Sequence, residues 1–359
     1  MLTFFTVLTA LLVVATALPF LPLAHGVVRV GDFPRQQFLA LALLLLCLSL
    51  PFAEGTWWRI VQLALAAVAL VQAIHVVRFT PLWRRQSADH DPTRDEGEPL
   101  QLLACNVKMS NRRFDALAGL IARHDPDIVV LMEVDGQWAD ALRDVLAHFP
   151  YLVSQPQNNS YGMILASRFA LSGTEVRCLL TDGVPSIVTT VAMPRGLRFR
   201  LYSIHPEPPV PHRGAEGRDG ETALVALKAR EETMPVLVTG DLNDVAWSRT
   251  TERFRRISRL LDPRIGRKVF STFDARYPLL RWPLDHLFHS PEFRLKHMRR
   301  LPACGSDHFP VLFDLVLTGT PKAEDEPEQA NAAELDRARD LVDQARKRDE
   351  TPIGSDWED

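Results

Sequence analysis

The sequence predicts an α/β domain with many strands of mixed direction, layered as two packed sheets with helices outside and preceded by three transmembrane helices. Three observations carry this. Residues 2–79 contain three long runs almost free of charge, residues 100–318 alternate short apolar runs with helical periodicity, and polar stretches set these regions apart from each other and from an acidic tail.

The apolar runs are 2–24, 36–53 and 57–79, each near the ~20 residues that span a bilayer. A cleaved signal peptide is the rival reading of the first run, but that run lacks a basic leader and two further spans follow it. Trp57 and Trp58 open the third run, where an interfacial aromatic belt would lie. Arg29, Arg35, Arg78, Arg84 and Arg85 flank one side of the spans and Arg59 the other, which predicts a cytoplasmic C-terminal domain.

Residues 80–99 carry Pro and Gly without apolar periodicity and read as a polar linker. Beyond them "LQLLACNV" (100–107) predicts a buried strand. Phe114, Leu117 and Ile121 share one helical face, and "DIVVLMEV" (127–134) returns to strand, giving a β-α-β opening. Strands are expected at 162–167, 186–193, 199–206 and 235–240, helices near 217–231 and 247–260, and closing strands in "LDHLFHS" and "FPVLFDLVL". The tail, 319–359, reads as largely disordered, with one short helix through Leu335, Ala338, Leu341, Val342 and Ala345.

Residues 1–97, 98–318 and 319–359 carry net charges of +1, +3 and -7. A middle domain so close to neutral does not advertise nucleic-acid binding, and its dense basic segment, 249–268, reads as a solvated helix face. The four cysteines show no metal-ligand spacing, so buried free thiols are expected.

Polar residues with chemical potential gather where strands end. Asn106 closes the first strand, Glu133 the second and His205 a later one, while Asp241 and Asn243 sit two residues apart in "GDLND". "LDH" (284–286) and "SDH" (306–308) each add an Asp-His step. His286, His289, His124 and His148 have no motif partner and are expected to be structural. Tyr161 is expected to pack, and Glu207 is balanced between the site and a solvated loop.

The ordered set "CNV", "LME", "YGMILAS", "SIHPEP", "GDLND", "PLDHL" and "GSDHFPV" resembles the endonuclease/exonuclease/phosphatase superfamily of metal-dependent phosphoesterases, over residues 100–317. The resemblance implies a DNase I-like four-layered sandwich with its site at one edge of two packed mixed β-sheets. It also implies Glu133, with Asn106 beside it and Asp307 nearby, as the side of the site that holds Mg²⁺ or Mn²⁺. By the same resemblance Asp241 orients the attacking water, Asn243 binds the scissile phosphate, and His308 stabilises the phosphate with Asp285 as its carboxylate partner. His205 is the second histidine and the expected general acid.

Three spans ahead of this domain, with "HPEPP" and "LLRWPLDH", resemble a membrane-anchored bacterial subgroup of VanJ-type proteins. That implies lipid pyrophosphate chemistry at the outer face of the cell membrane, opposite to the side the charge count predicts. The readings carried forward are a membrane-tethered phosphoesterase acting on a lipid phosphate or pyrophosphate, a membrane-anchored nuclease acting on DNA or RNA, and a non-catalytic binding module on the same scaffold. No protein partner is expected.

Overall fold

The computed structural model describes residues 1–52, 54–324, 326 and 328–356. The last residue of the second expected span, 53, and tail residues 325, 327 and 357–359 lie outside the described residues. The N-terminal segment forms α1 (Leu2–Ala17), α2 (Gly26–Val30), α3 (Arg35–Ser49) and α4 (Thr56–Val77). With their short extensions, Leu2–Phe20, Arg35–Phe52 and Thr56–Val77 are long and apolar enough to cross a membrane. Leu11, Leu44 and Leu63 point outward from this bundle, while Leu12, Leu45 and Leu65 fill its centre.

The strands of the following domain are β1 (Gly97–Asn106), β2 (Ile128–Met132), β3 (Tyr151–Gln155), β4 (Met163–Ser167), β5 (Ala170–Cys178), β6 (Pro185–Ala192), β7 (Arg198–Ser203), β8 (Val236–Asp241), β9 (Asp285–His289), β10 (Phe293–Arg300) and β11 (Val311–Thr318). The helices are α5 (Phe114–His124), α6 (Gly136–Ala141), α7 (Arg143–Leu146), α8 (Glu216–Glu231), α9 (Arg249–Ser258) and α10 (Ala332–Arg346). One sheet runs β10-β11-β1-β2-β4-β3 and the other β5-β6-β7-β8-β9.

Period-two alternation builds the layers. Leu102 and Ala104 of β1 and Val130 of β2 meet Leu201 of β7 and Leu237 of β8 between the sheets. Their neighbours Leu103, Cys105 and Val129 face the other way, against Leu117 and Ile121 of α5 and Trp138 of α6. On the far face, Val236 and Val238 pack under Ala226 of α8 and Phe254 of α9. The result is the expected four-layered sandwich of two mixed sheets flanked by helices.

Three strands escaped the sequence pattern, and all lie at or next to a sheet edge: β3, β5 and β10. Most of β5 is exposed, so it keeps polar residues on both faces and shows no alternation.

The stretch 80–99, expected as a free linker, is tied to the domain. Gln86, Ser87 and Ala88 are buried. Ser87 Oγ lies 2.7 Å from His289 Nε2, and the Asp262 amide donates to Gln86 Oε1 at 2.7 Å. Small polar side chains that satisfy buried groups leave no apolar periodicity to read.

The tail departs from expectation for a similar reason. A capping box between Asn331 and Glu334 starts α10, whose Ala338 and Val342 join the core beneath α8. Past the helix, Arg348 forms a 2.5 Å ion pair with buried Glu207, and the Ile353 amide donates to the same carboxylate at 2.8 Å. The tail is therefore ordered where a single apolar stripe and one buried carboxylate hold it. Of the free cysteines, Cys105 and Cys304 are buried, whereas Cys47 and Cys178 are exposed.

Candidate active site

Topology brings the polar strand ends together. β1 and β2 are parallel, as are β7 and β8, so their carboxyl ends share one edge of the sandwich. β9 runs antiparallel to β8 and begins there with Asp285 paired to Asp241. β11 runs antiparallel to β1, with Val311 opposite Ala104, which delivers Asp307 and His308 to the same edge. Gly240, at φ 146°, is required here, because a Cβ on it would lie 1.9 Å from the Ile204 carbonyl oxygen.

Asp241 is the hub. Its Oδ2 accepts from Asn106 Nδ2 at 3.0 Å and lies 3.4 Å from His308 Nε2 and 3.9 Å from His205 Nε2. His308 Nδ1 is 2.9 Å from Asp285 Oδ2, so the imidazole is bracketed by two carboxylates. Burial works against a charge on His308, but Asp285 and Asp241 outweigh it and raise its pKa to about 10. His205 has the opposite fate: burial lowers it to about 4, with the nearby His308 adding to the effect and Asp241 opposing. Its Nδ1 is sealed without a hydrogen-bond partner among the described residues. At neutral pH the site therefore holds one imidazolium and one neutral imidazole.

Glu133 sits on the other flank. Asn106 Nδ2 donates to its Oε1 at 2.7 Å and the Met109 amide to its Oε2 at 3.2 Å. Burial pushes this carboxyl up to about 7. Asn243 donates Nδ2 to the Pro206 carbonyl at 2.9 Å, and its amide donates to Asp241 Oδ1 at 2.9 Å. Asp307 is engaged by Lys108 Nζ at 2.9 Å and faces Arg276 at 3.6 Å.

Among the described residues, six non-glycine residues have positive φ, and four of them, Lys108, Glu133, Ser160 and Asn243, line this one cavity. Such backbone costs roughly 1–3 kcal/mol each and persists where the surrounding structure imposes it.

Among the described residues no three His, Cys, Asp or Glu side chains stand together as a metal cage. The donor set still suits a hard cation that keeps waters and takes few protein ligands. Glu133 offers its carboxylate at one wall of the cavity with Asn106 hydrogen-bonded beside it, and the desolvation penalty that raises Glu133 is the kind a dication relieves. The residues present therefore fit Mg²⁺ or Mn²⁺, with Asp307 held by Lys108 at the margin.

All eight expected site residues gather at this edge. Their cavity, about 600 Å³, has a second half that sequence patterns did not reveal. Its wall is apolar: Phe273, Trp282 and Leu284 from the segment before β9, and Val30, Phe33 and Pro34 from the connector between the first and second spans. Phe33 and Trp282 touch edge to face at 5.9 Å.

The connector is pinned by Trp247 Nε1 donating to the Asp32 carbonyl at 2.8 Å, by the buried Arg35–Asp32 pair at 2.5 Å and by the buried Arg29–Asp219 pair at 2.6 Å. Gly26 allows the approach, since a Cβ there would collide with the Val210 carbonyl.

Lys108 and Arg276 were also missed; only the position of Lys108 beside "CNV" could have flagged it. Tyr161, expected to pack, lines the cavity and donates its hydroxyl to the Ile353 carbonyl, with its ring 5.3 Å from that of His205. Glu207 proves to anchor the tail. His286 and His289 are structural, as expected: His286 lies 2.7 Å from Arg264 and 2.9 Å from the Asp244 carbonyl, and His289 bonds Ser87 and the Ser290 carbonyl. In the basic segment 249–268, Arg256 pairs with Glu334, Arg264 with Asp262 and Arg267 with Asp89, and Arg255 and Arg264 are buried, so it is only in part the solvated helix face expected.

A sandwich of two mixed sheets with paired carboxylates and imidazoles at its parallel-strand edge defines a DNase I-like phosphoester hydrolase scaffold. Residues 103–308 match the model of the endonuclease/exonuclease/phosphatase family, and the chain belongs to that family.

Similar solved structures agree on the fold. A Bacteroides thetaiotaomicron family protein is 18% identical with a TM-score of 0.52, covering 63% of this chain and 100% of its own. A Beutenbergia cavernae family protein is 20% identical with a TM-score of 0.51, covering 62% and 72%. D. rerio TDP2, solved with a single-strand DNA product, is 18% identical with a TM-score of 0.50, covering 60% and 98%. No curated protein matches the chain.

Proposed function

We propose that the chain is a membrane-anchored, divalent-metal-dependent phosphoesterase that hydrolyses a lipid phosphate or pyrophosphate, a polyprenyl one being the class that best fits its anchor. The observation that carries this reading is the composite cavity. Its floor is Asp241, His308 and Glu133, and its wall includes Val30, Phe33 and Pro34, which lead directly into the helix of the second span.

The adjoining loop supports it. Tyr277, Leu279 and Leu280 are exposed, and the Leu279 carbonyl accepts from Gln37 Nε2 in the first turn of α3 at 2.9 Å. An exposed apolar loop beside the entry of a membrane helix suits the lipid interface. A headgroup phosphate could then reach the floor while the first isoprenoid carbons stay against the wall.

In the proposed reaction Asp241 orients the attacking water and accepts its proton, and its two imidazole neighbours hold it in place. His308, charged and fixed by Asp285, neutralises charge developing on the phosphoryl oxygens. Asn243 uses its remaining amide hydrogen on the phosphate. His205, neutral at pH 7, acts as a hydrogen-bond donor to the leaving oxygen rather than as an imidazolium acid. A divalent cation held by Glu133 and Asn106 would add electrostatic stabilisation of the phosphoryl oxygens.

The test offers purified full-length protein polyprenyl pyrophosphate, plasmid DNA and RNA in parallel with Mg²⁺ or Mn²⁺. Phosphate release from the lipid without nicking of DNA is the expected result. Nicking of DNA or RNA without lipid turnover would establish the nuclease reading instead, and turnover of none would point to a binding module.

A further inference from the structure

We propose that a second cavity, between the end of the first span, α9 and α10, binds the phosphate of an anionic membrane lipid at a site separate from the active site. The cavity measures about 310 Å³ and is bounded by Leu21 and Pro22 beyond the first span, by Thr250 and Arg253 of α9, and by Arg337 of α10.

Two donors in it are orphaned. Thr250 Oγ1, on a side chain only 3% exposed, and Arg253 Nη2 are both sealed from solvent and have no hydrogen-bond partner among the described residues. They stand three residues apart on α9, hence on one face of the helix. Buried donors are nearly always satisfied, so an unpartnered pair on two residues that line one cavity calls for an acceptor.

Charge sets the kind of acceptor. Asp219, whose carboxylate acts on Arg253, is already engaged by Arg29 at 2.6 Å and Arg218 at 2.8 Å. Of the carboxylates lining the cavity, Glu334 is paired to Arg256 and Glu252 to Arg78, leaving Asp340 on the exposed face of α10 as the counterweight. Arg249, Arg253 and Arg337 have no ion-pair partner among the described residues, Arg249 donating instead to the Phe20 carbonyl at 2.8 Å, so a phosphate would meet three guanidinium groups without a carboxylate, and a hydroxyl.

Position sets its source. Leu21 and Pro22 follow directly on the Leu2–Phe20 helix, so the cavity opens at headgroup depth, where acyl chains can run down beside α1.

The test is thermal unfolding of the full-length protein in a neutral detergent, with dihexanoyl phosphatidylglycerol, dihexanoyl phosphatidylcholine or inorganic phosphate added at equal concentration. Phosphatidylglycerol should raise Tm of the wild type by about 2 °C and should not do so in Arg253→Gln or Thr250→Val. Arg337→Gln, on an exposed position, should weaken the apparent affinity several-fold and guards against misfolding of the buried variants. An equal shift with phosphatidylcholine, an equal shift with inorganic phosphate, or a full shift retained in Arg253→Gln or Arg337→Gln would each overturn the proposal. The readout is independent of turnover, so it stands or falls apart from the phosphoesterase reading.

Discussion

The floor and the wall of the active-site cavity are built by different rules. The floor is polar, buried and drawn from the ends of β1, β2, β8, β9 and the turn into β11, where backbone pairing fixes each side chain to its neighbours. The wall is apolar and drawn from two segments distant in the chain, the inter-span connector and the stretch before β9, which meet through Phe33 and Trp282. A family scaffold can keep the first and vary the second, which is why fold defines the reaction class and leaves substrate to the surroundings of the site.

If that division holds, breaking the floor should abolish turnover of every substrate alike. Asp241→Asn keeps the shape but removes the charge that faces both imidazoles, and should lower kcat about 10³–10⁴-fold on lipid and on water-soluble phosphoesters. Asp285→Asn should act in the same direction, about 10²-fold, because it leaves His308 less charged and less firmly oriented. Steady-state kinetics on both substrate types check these values, and a loss confined to the lipid would break the division.

Beneath the floor lie buried titratable histidines. Burial holds His286 at about 3, with Arg264 adding to the effect, and His289 at about 4; the unfolded chain titrates at the ordinary histidine value of 6.5. Below pH 6.5 the unfolded state takes up protons that the folded state refuses, so this stability is complete above 6.5 and declines as pH falls toward 4. The decline should be on the order of 2 kcal/mol per histidine by pH 5. Denaturant titrations of the wild type and His289→Gln across that range isolate one histidine's share: the variant should lose about 2 kcal/mol less stability than the wild type by pH 5.

A smaller effect is expected where the tail meets the wall. Ile353 lines the cavity, and Glu207 holds Ile353 and Arg348 in place. Glu207→Gln should raise KM for lipid about 3-fold with kcat unchanged, and should expose residues 347–356 to protease. Limited proteolysis and kinetics on one preparation separate this from a change in the floor.

The same contrast explains what could be read in advance. Asp241, Asn243, His308 and Glu133 were legible because strand-end polar residues in a fixed order leave a one-dimensional signature. Phe33 and Trp282 were not, since each looks like an ordinary apolar residue until the chain folds them against each other. The core strands announced themselves by alternation, whereas β5, exposed at an edge, did not. The tail's short helix was legible in its apolar stripe, but the order after it was not, because that order depends on Arg348 finding Glu207, a partner that composition cannot identify. His205 was legible as a site residue, yet its neutrality follows only from burial and the nearby His308, which together outweigh Asp241.

The most direct test of the two-part cavity compares kcat/KM for a long-chain polyprenyl pyrophosphate with that for a short-chain, water-soluble analogue, in the wild type and in Phe33→Ser/Trp282→Ala. The ratio should fall about 10- to 100-fold in the double variant while turnover of the soluble analogue stays within about 3-fold of wild type, in line with losing two apolar contacts. A ratio unchanged by the double substitution would contradict the lipid reading of the wall.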